Sequence, residues 1–313
     1  MDIILHIGHP KTGSDFIQLN FLNNLGENFL GRPYNKEFHN IEKLIATSND
    51  EVFRKNKFKL LKFFKKKLIE GKKNILSIED LLKPTFFNQK NGHDIFKSIK
   101  RYHSILSNFG NVKVFWIIRS HTKIISSSYE QFYLEDWKHY RITHSQILGF
   151  FKKQKNKKKL TFLFDSFKYY KNYKNLKKIF GKNNIKILFY EDLKYNYKFF
   201  INELFEFLKS NKKIIIINKI LNSSKDKNSY VILIFKIMKY LFKHNILNFF
   251  QLKKNYQLLI YKIYEIQFRK KKINVFKREI NNIRENIRYY YKKDCMSFKN
   301  KKLLKKMKKY DYI

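Results

Sequence analysis

Ile3-Ile4-Leu5-His6-Ile7-Gly8-His9-Pro10-Lys11-Thr12-Gly13-Ser14-Asp15-Phe16-Ile17-Gln18 is the most informative stretch of the chain. Ile3–Ile7 is a short apolar run without strict alternation, which predicts a strand buried on both faces of a parallel sheet. His6, inside that run, is expected as a hydrogen-bonded core residue. A glycine-bearing loop follows, and a helix is expected from Asp15 onward. A loop that enters a helix in this way offers unpaired backbone N–H groups, which bind phosphate or sulfate. Glycine lets the backbone wrap closely round an anion, and a loop lysine neutralises charge on a group being transferred.

Three further runs of the same kind are Asn74–Ile78, Val112–Ile118 and Ile185–Tyr190, with helical periodicity between them. The alternation predicts a three-layer α/β/α fold around a parallel sheet. Val112–Ile118 ends at Arg119 and leads to a helix over Ile124–Trp137. Ile185–Tyr190 leads through Glu191-Asp192-Leu193 to a helix over Phe199–Leu208. After residue 215 the character changes. An Ile214–Ile217 run and a polar loop, Asn222-Ser223-Ser224-Lys225-Asp226, precede Lys-rich helices. Phe276, Ile280, Ile283, Ile287 and Tyr290 recur at helical steps and predict one continuous buried face. Lys301–Lys309 reads as a solvated, frayed tail, and Lys152–Lys159 as an exposed connection. The expected division is a core over residues 1–215 and an α-helical C-terminal extension over 216–313 packed on it.

Among 313 residues, Lys and Arg number 68 against 25 Asp and Glu, for a net charge of +43. A charge of that size suggests a polyanion partner, but the composition has a plainer source. Only nine of the cations are Arg, Ala46 is the one alanine, and Gly and Pro number 9 and 3. Lys, Asn, Ile, Phe and Tyr have A/T-rich codons, so an A/T-rich genome accounts for much of the excess, and no nucleic-acid partner is expected. A single cysteine, Cys295, excludes an intrachain disulfide and a cysteine-based zinc site. Acidic Asp2 and a short apolar run do not make a signal peptide. Lys236, Lys239, Lys243 and His244 interrupt Tyr230–Phe250, which reads as a buried or amphipathic helix rather than a membrane span. The expected location is cytoplasmic, with peripheral contact at the inner membrane face through the basic helices as a further expectation.

A nucleotide triphosphatase loop needs two glycines five apart, followed at once by Lys and a hydroxyl residue. Gly8 and Gly13 have the spacing, but Ser14 and Asp15 stand where the Lys and the hydroxyl belong, and the lysine has moved inside the loop to Lys11. That displaced lysine, in His6-Ile7-Gly8-His9-Pro10-Lys11-Thr12-Gly13-Ser14, resembles the 5′-phosphosulfate loop of sulfotransferases that use 3′-phosphoadenosine 5′-phosphosulfate (PAPS). Val112–Arg119 followed by Ser127 and Tyr129 is similar to the same family's 3′-phosphate element, a strand ending in Arg with a Ser eight residues later on the next helix. Ile185–Leu193 with Phe205–Leu208 resembles its late strand and helix. The resemblance is to bacterial, carbohydrate-type members. It implies a P-loop nucleotide-hydrolase-like fold and transfer of a sulfuryl group from PAPS as co-substrate, without a metal.

By that resemblance Lys11 stabilises the transferring group and the N–H groups of Thr12, Gly13 and Ser14 hold the 5′-phosphate. Arg119, through its bidentate fork, and Ser127 hold the 3′-phosphate. The acceptor is expected to be a glycan or glycolipid hydroxyl. Its proton needs a base. Glu79, directly after the second run, is the first candidate, His9 the second and His93 the third, while capping of the following helix is the structural alternative for Glu79. Asn222, Ser223 and Lys225 fall where related enzymes cover the cofactor. Two residues depart from the family pattern: Asp15 replaces a hydroxyl residue, and Ser120-His121 replaces an acidic-Pro pair. The alternatives are a nucleotide-dependent kinase with a degenerate loop and a basic nucleic-acid- or anionic-membrane-binding protein.

Overall fold

The computed structural model describes residues 1–9, 11–18, 22, 25–31, 36–82, 95–135, 144–153, 158–209 and 274–313. β1 (Asp2–Gly8) is buried from Ile3 onward because it runs through the centre of a five-stranded sheet. It pairs in parallel with β3 (Lys73–Ile78) on one side and β4 (Asn111–Ile118) on the other. β2 (Asn28–Gly31) lies outside β3, and β5 (Ile185–Phe189) lies outside β4, both parallel. The order β2-β3-β1-β4-β5 gives a doubly wound, all-parallel α/β sheet, the parallel sheet with intervening helices that the alternation of runs predicts. The chain leaves β1 toward one edge and β4 toward the other, so a crevice opens between their C-terminal ends.

Alternation along the strands fills two cores. Ile3, Leu5 and Ile7 join Leu76, Val114, Trp116 and Ile118 on one face, under the helices Lys36–Thr47, Asp50–Lys67, Ile95–Leu106 and Tyr169–Phe180. Ile4, Ile75, Phe115, Ile117 and Leu188 face the other way, against Ile17 and the helices Tyr190–Tyr195 and Tyr197–Leu208. Each such fully buried side chain contributes about 1.5–3 kcal/mol. His6 interrupts the second face without breaking it. Its ring stacks on Phe115 at 4.5 Å, and Nδ1 lies 2.7 Å from Ser77 Oγ, which also accepts from Gln18 Nε2. Burial pushes its pKa down to about 3, so the ring is neutral.

Several expectations need correction. β2 was not anticipated: four residues ending in Gly31 carry no periodic signal. The helix after β4 spans His121–Glu135 and starts three residues earlier than its apolar spacing suggests, because His121 and Thr122 are polar residues packed inside. The C-terminal helix is not continuous, although Phe276, Ile280, Ile283 and Ile287 of the expected face are all buried. The helix over 274–282 breaks in a turn at Ile283, and Arg284–Met296 follows. Only the last position is displaced: after Ile287 the buried residue is Tyr291, while Tyr290 is half-buried. Lys301–Lys309 is a helix rather than a frayed tail. Asn300 caps it by accepting from Leu303 N at 3.1 Å, and Met307 is buried. Its Lys306 Nζ reaches Asp192 Oδ2 and Glu203 Oε2, each at 2.8 Å.

The chain divides into two compact units, Met1–Ile215 with Glu279–Ile313, and Ile216–Arg278. The first contains the sheet, and residues 279–313 pack within it: Tyr170 N and Lys171 N donate to Asp294, which caps the helix Tyr169–Phe180. Cys295 is buried and free, its thiol pKa raised by burial. No helix among the described residues is long and apolar enough to cross a membrane. Tyr230–Phe250, Ile214–Ile217 and residues 154–157 lie outside the described residues.

Lys306→Met keeps the stem of the side chain and removes its charge, leaving Asp192 and Glu203 without that partner. Stability should fall by roughly 3 kcal/mol, read as a lowered urea midpoint at unchanged m. An unchanged midpoint would contradict this role.

Candidate functional site

The loop after β1 is shaped by close approaches. Thr12 is buried, and its Oγ1 donates to the His9 carbonyl at 2.7 Å. Gly13 sits at φ 84°, and a Cβ there would lie 2.9 Å from Leu193 Cδ2 and 3.2 Å from the Tyr190 ring. Gly8 has room for a Cβ only 3.1 Å from Thr12 Oγ1. Ile17 N donates to the Gly13 carbonyl at 3.1 Å and opens the helical turn Ser14–Ile17. Lys11 is exposed and takes φ 69°, a left-handed conformation that costs about 1–2 kcal/mol in a residue with a Cβ. Ser14 Oγ is buried with no hydrogen-bond partner among the described residues.

Arg119 arrives at this loop from β4. The register pairs Gly8 with Ile117, two residues before it. Its Nη1 donates to the Lys11 carbonyl at 2.7 Å, and its guanidinium lies over the Tyr190 ring, 4.4 Å from the centroid. Arg119 Nε is also buried without a partner among the described residues. The peptide unit between Arg119 and Ser120 is held at both polar ends. Tyr169 Oη donates to the Arg119 carbonyl, and Ser120 N donates to Glu191 Oε1 at 3.0 Å. Tyr312 Oη in turn donates to Glu191 Oε2 at 2.9 Å.

The rim carries more cations. Lys123, on the helix after Arg119, and Lys194 lie 5.8 and 4.8 Å from the ring centre of exposed Tyr195. The hydrogen bond from Lys194, with the charge of Lys123, holds the Tyr195 phenol below its usual pKa. Ser127 is half-buried on the same helix, two turns in. The structure therefore brings Lys11, Thr12, Gly13, Ser14 and Arg119 together at the ends of β1 and β4.

The base candidates differ in placement. Glu79 opens the 3-10 turn Glu79–Leu82 directly after β3, at the same edge of the sheet; its side chain, like that of Asp15, lies outside what is described. His9 is fully buried. Its Nε2 donates to the Ser166 carbonyl at 2.9 Å, and its ring packs against Trp116, Phe167 and Tyr169. Burial lowers its pKa to about 4, against the Ser166 contact that raises it. His121 is likewise internal, stacked between Tyr169 and Tyr291, with Nε2 donating to the Phe167 carbonyl at 3.0 Å and its pKa lowered by burial to about 3. His93, Asn222, Ser223 and Lys225 lie outside the described residues. Among the described residues no group of three His, Cys, Asp or Glu side chains is gathered as a metal site would require.

The sequence reading missed Tyr190, Glu191, Tyr169 and Tyr312. The available signal was the acidic pair Glu191-Asp192 directly after a buried strand, where a charge survives only with dedicated donors.

No family model matches the chain, and no curated protein matches it. Among solved structures, a sulfotransferase from Alicyclobacillus acidocaldarius is similar over 74% of this chain and 91% of that one, at 11% identity and a TM-score of 0.46.

His6, His9 and His121 set a pH dependence. All three have folded pKa values below the ordinary 6.5, near 3 to 4. Above pH 6.5 they are neutral in both folded and unfolded chains. As pH falls below 6.5 the unfolded chain takes up protons that the folded chain refuses, and stability drops by about 1.4 kcal/mol per pH unit for each histidine until the folded values are reached. Urea midpoints measured from pH 7.5 to 5 should fall steeply below 6.5; a flat profile would contradict the buried neutral rings.

Proposed function

We propose that the chain binds PAPS at the C-terminal edge of β1 and β4 and transfers its sulfuryl group to an acceptor hydroxyl, with a carbohydrate or glycolipid as the acceptor that the sequence resemblance implies. The observation that carries this reading is the 2.7 Å bond from Arg119 Nη1 to the Lys11 carbonyl. It joins a lysine-bearing glycine loop and a strand-end arginine, separate in sequence, at one crevice. Two unpartnered buried polar atoms, Ser14 Oγ and Arg119 Nε, suit an anionic ligand with two charged ends.

In this reading the N–H groups of Thr12, Gly13 and Ser14 hold the 5′-phosphate, and Gly8 and Gly13 let Thr12, Tyr190 and Leu193 close against the loop that presents them. Arg119 and Ser127 hold the 3′-phosphate. Tyr190 lies against the guanidinium and limits its rotamers. PAPS supplies an activated sulfur. The acceptor oxygen bonds to that sulfur as the bridging S–O bond breaks, its electron pair leaving on the 5′-phosphate of adenosine 3′,5′-bisphosphate. Lys11 stabilises charge on the transferring group and the departing oxygen, chiefly by position and electrostatics. Glu79 takes the acceptor's proton. His9, tied to Ser166 inside the core, braces the loop instead.

Thermal unfolding with adenosine 3′,5′-bisphosphate, 5′-AMP and ATP with magnesium tests the ligand. At 100 times its dissociation constant the bisphosphate should add about 2.7 kcal/mol, and Arg119→Ala should abolish most of that gain. Lys11→Ala should lower transfer from PAPS by about a hundredfold or more. Stabilisation by ATP with magnesium alone, or equally by every nucleotide, would overturn the reading.

A further inference from the structure

We propose that Tyr312, through Glu191, and Tyr169 are positioning residues for Arg119, setting how well the site distinguishes a nucleotide that carries a 3′-phosphate from one that does not. The proposal rests on the reading of Arg119 given above. β4 ends at Ile118, so the peptide unit joining Arg119 to Ser120 has left the sheet ladder. Both of its polar groups are nevertheless committed, the carbonyl to Tyr169 Oη and the N–H to Glu191 Oε1. This peptide fixes the direction in which the Arg119 side chain departs toward Lys11 and Tyr190.

Glu191 is 1% exposed, and its two oxygens have different tasks. Oε1 accepts from Ser120, and Oε2 accepts from Tyr312, itself wholly buried. A carboxylate torsion is broad on its own, so without the tyrosine hydroxyl the group is free to turn and Ser120 loses a fixed acceptor. Tyr312 reaches this point because Asp192, the neighbour of Glu191, is gripped by Lys306 and Tyr310. The segment 306–312 is therefore laced to the acidic pair after β5 at three side chains. A phenylalanine at position 312 would fill the same volume and lack only the donor. That separates positioning from packing.

Calorimetric dissociation constants for adenosine 3′,5′-bisphosphate and for 5′-AMP give the ratio that matters. Tyr312→Phe should lower the preference for the bisphosphate roughly threefold to tenfold, with 5′-AMP affinity unchanged. Tyr169→Phe should act in the same direction from the other end of the peptide, and it carries the test should Tyr312→Phe fold poorly. Glu191→Gln, which keeps an acceptor for Ser120 and offers a donor to Tyr312, should retain most of the preference. In an Arg119→Ala background neither tyrosine variant should alter the ratio. An unchanged ratio in both tyrosine variants, or an equal loss with and without Arg119, would overturn the proposal while leaving the ligand assignment intact. A wild-type ratio near one would overturn the Arg119 assignment, and the proposal with it.

Discussion

The bond between Arg119 and the Lys11 carbonyl is where the architecture and the chemistry meet. It requires β1 and β4 to be neighbours, which the order β2-β3-β1-β4-β5 provides, and a register that brings Gly8 level with Ile117. It also requires Lys11 to hold a left-handed backbone, a local cost offset by Thr12 and Arg119 on either side. Gly13 adds a third condition. Tyr190 and Leu193, from the helix after β5, press against it so closely that a side chain would collide with them. The ends of three parallel strands thus converge on one loop of a few residues.

The charge balance gives this convergence a particular form. In a chain of net charge +43, carboxylates are scarce, and several of them are spent inside. Glu191 and Asp192 are buried side by side after β5, and Glu203 joins Asp192 in holding Lys306. Burial pulls the Glu203 carboxyl upward, but Lys306, Lys186 and Lys302 outweigh it and leave the pKa below the usual range. Breaking a buried pair costs far more than an exposed one gains. The few acids therefore fix where residues 301–313 lie, while most lysines among the described residues are exposed. The basic surface and the ordered interior have separate causes.

Four of the five strands were legible in the sequence because each is a short apolar run, buried on both faces in β1, β3 and β4 and half-buried at its start in the edge strand β5, and their observed bounds differ from the expected ones by a residue at most. The loop residues and Arg119 were legible because glycine spacing and a strand-end cation leave local marks. β2 was not, since Asn28 to Gly31 is too short to show a period. Much of the polar interior was also hidden. His6 was legible as a core residue from its place inside a strand, but His9 reads as a candidate base and His121 carries no mark at all, although aromatic packing and carbonyl partners bury both. Tyr312 and Glu191 lie 121 residues apart, and nothing local joins them. Lys306 misled for the opposite reason: a run of lysines reads as solvent-exposed until a buried carboxylate selects one of them.

The most direct test of the account is a chemical-shift map of the protein, with backbone amides and arginine Nε groups labelled, titrated with adenosine 3′,5′-bisphosphate. Saturable shifts are expected at the amides of Thr12, Gly13 and Ser14 and at the Arg119 Nε, with Lys11 and Ser127 beside them, all moving with one dissociation constant. Shifts spread over the lysine-rich surface and weakening steeply with salt, with these groups unmoved, would contradict the account.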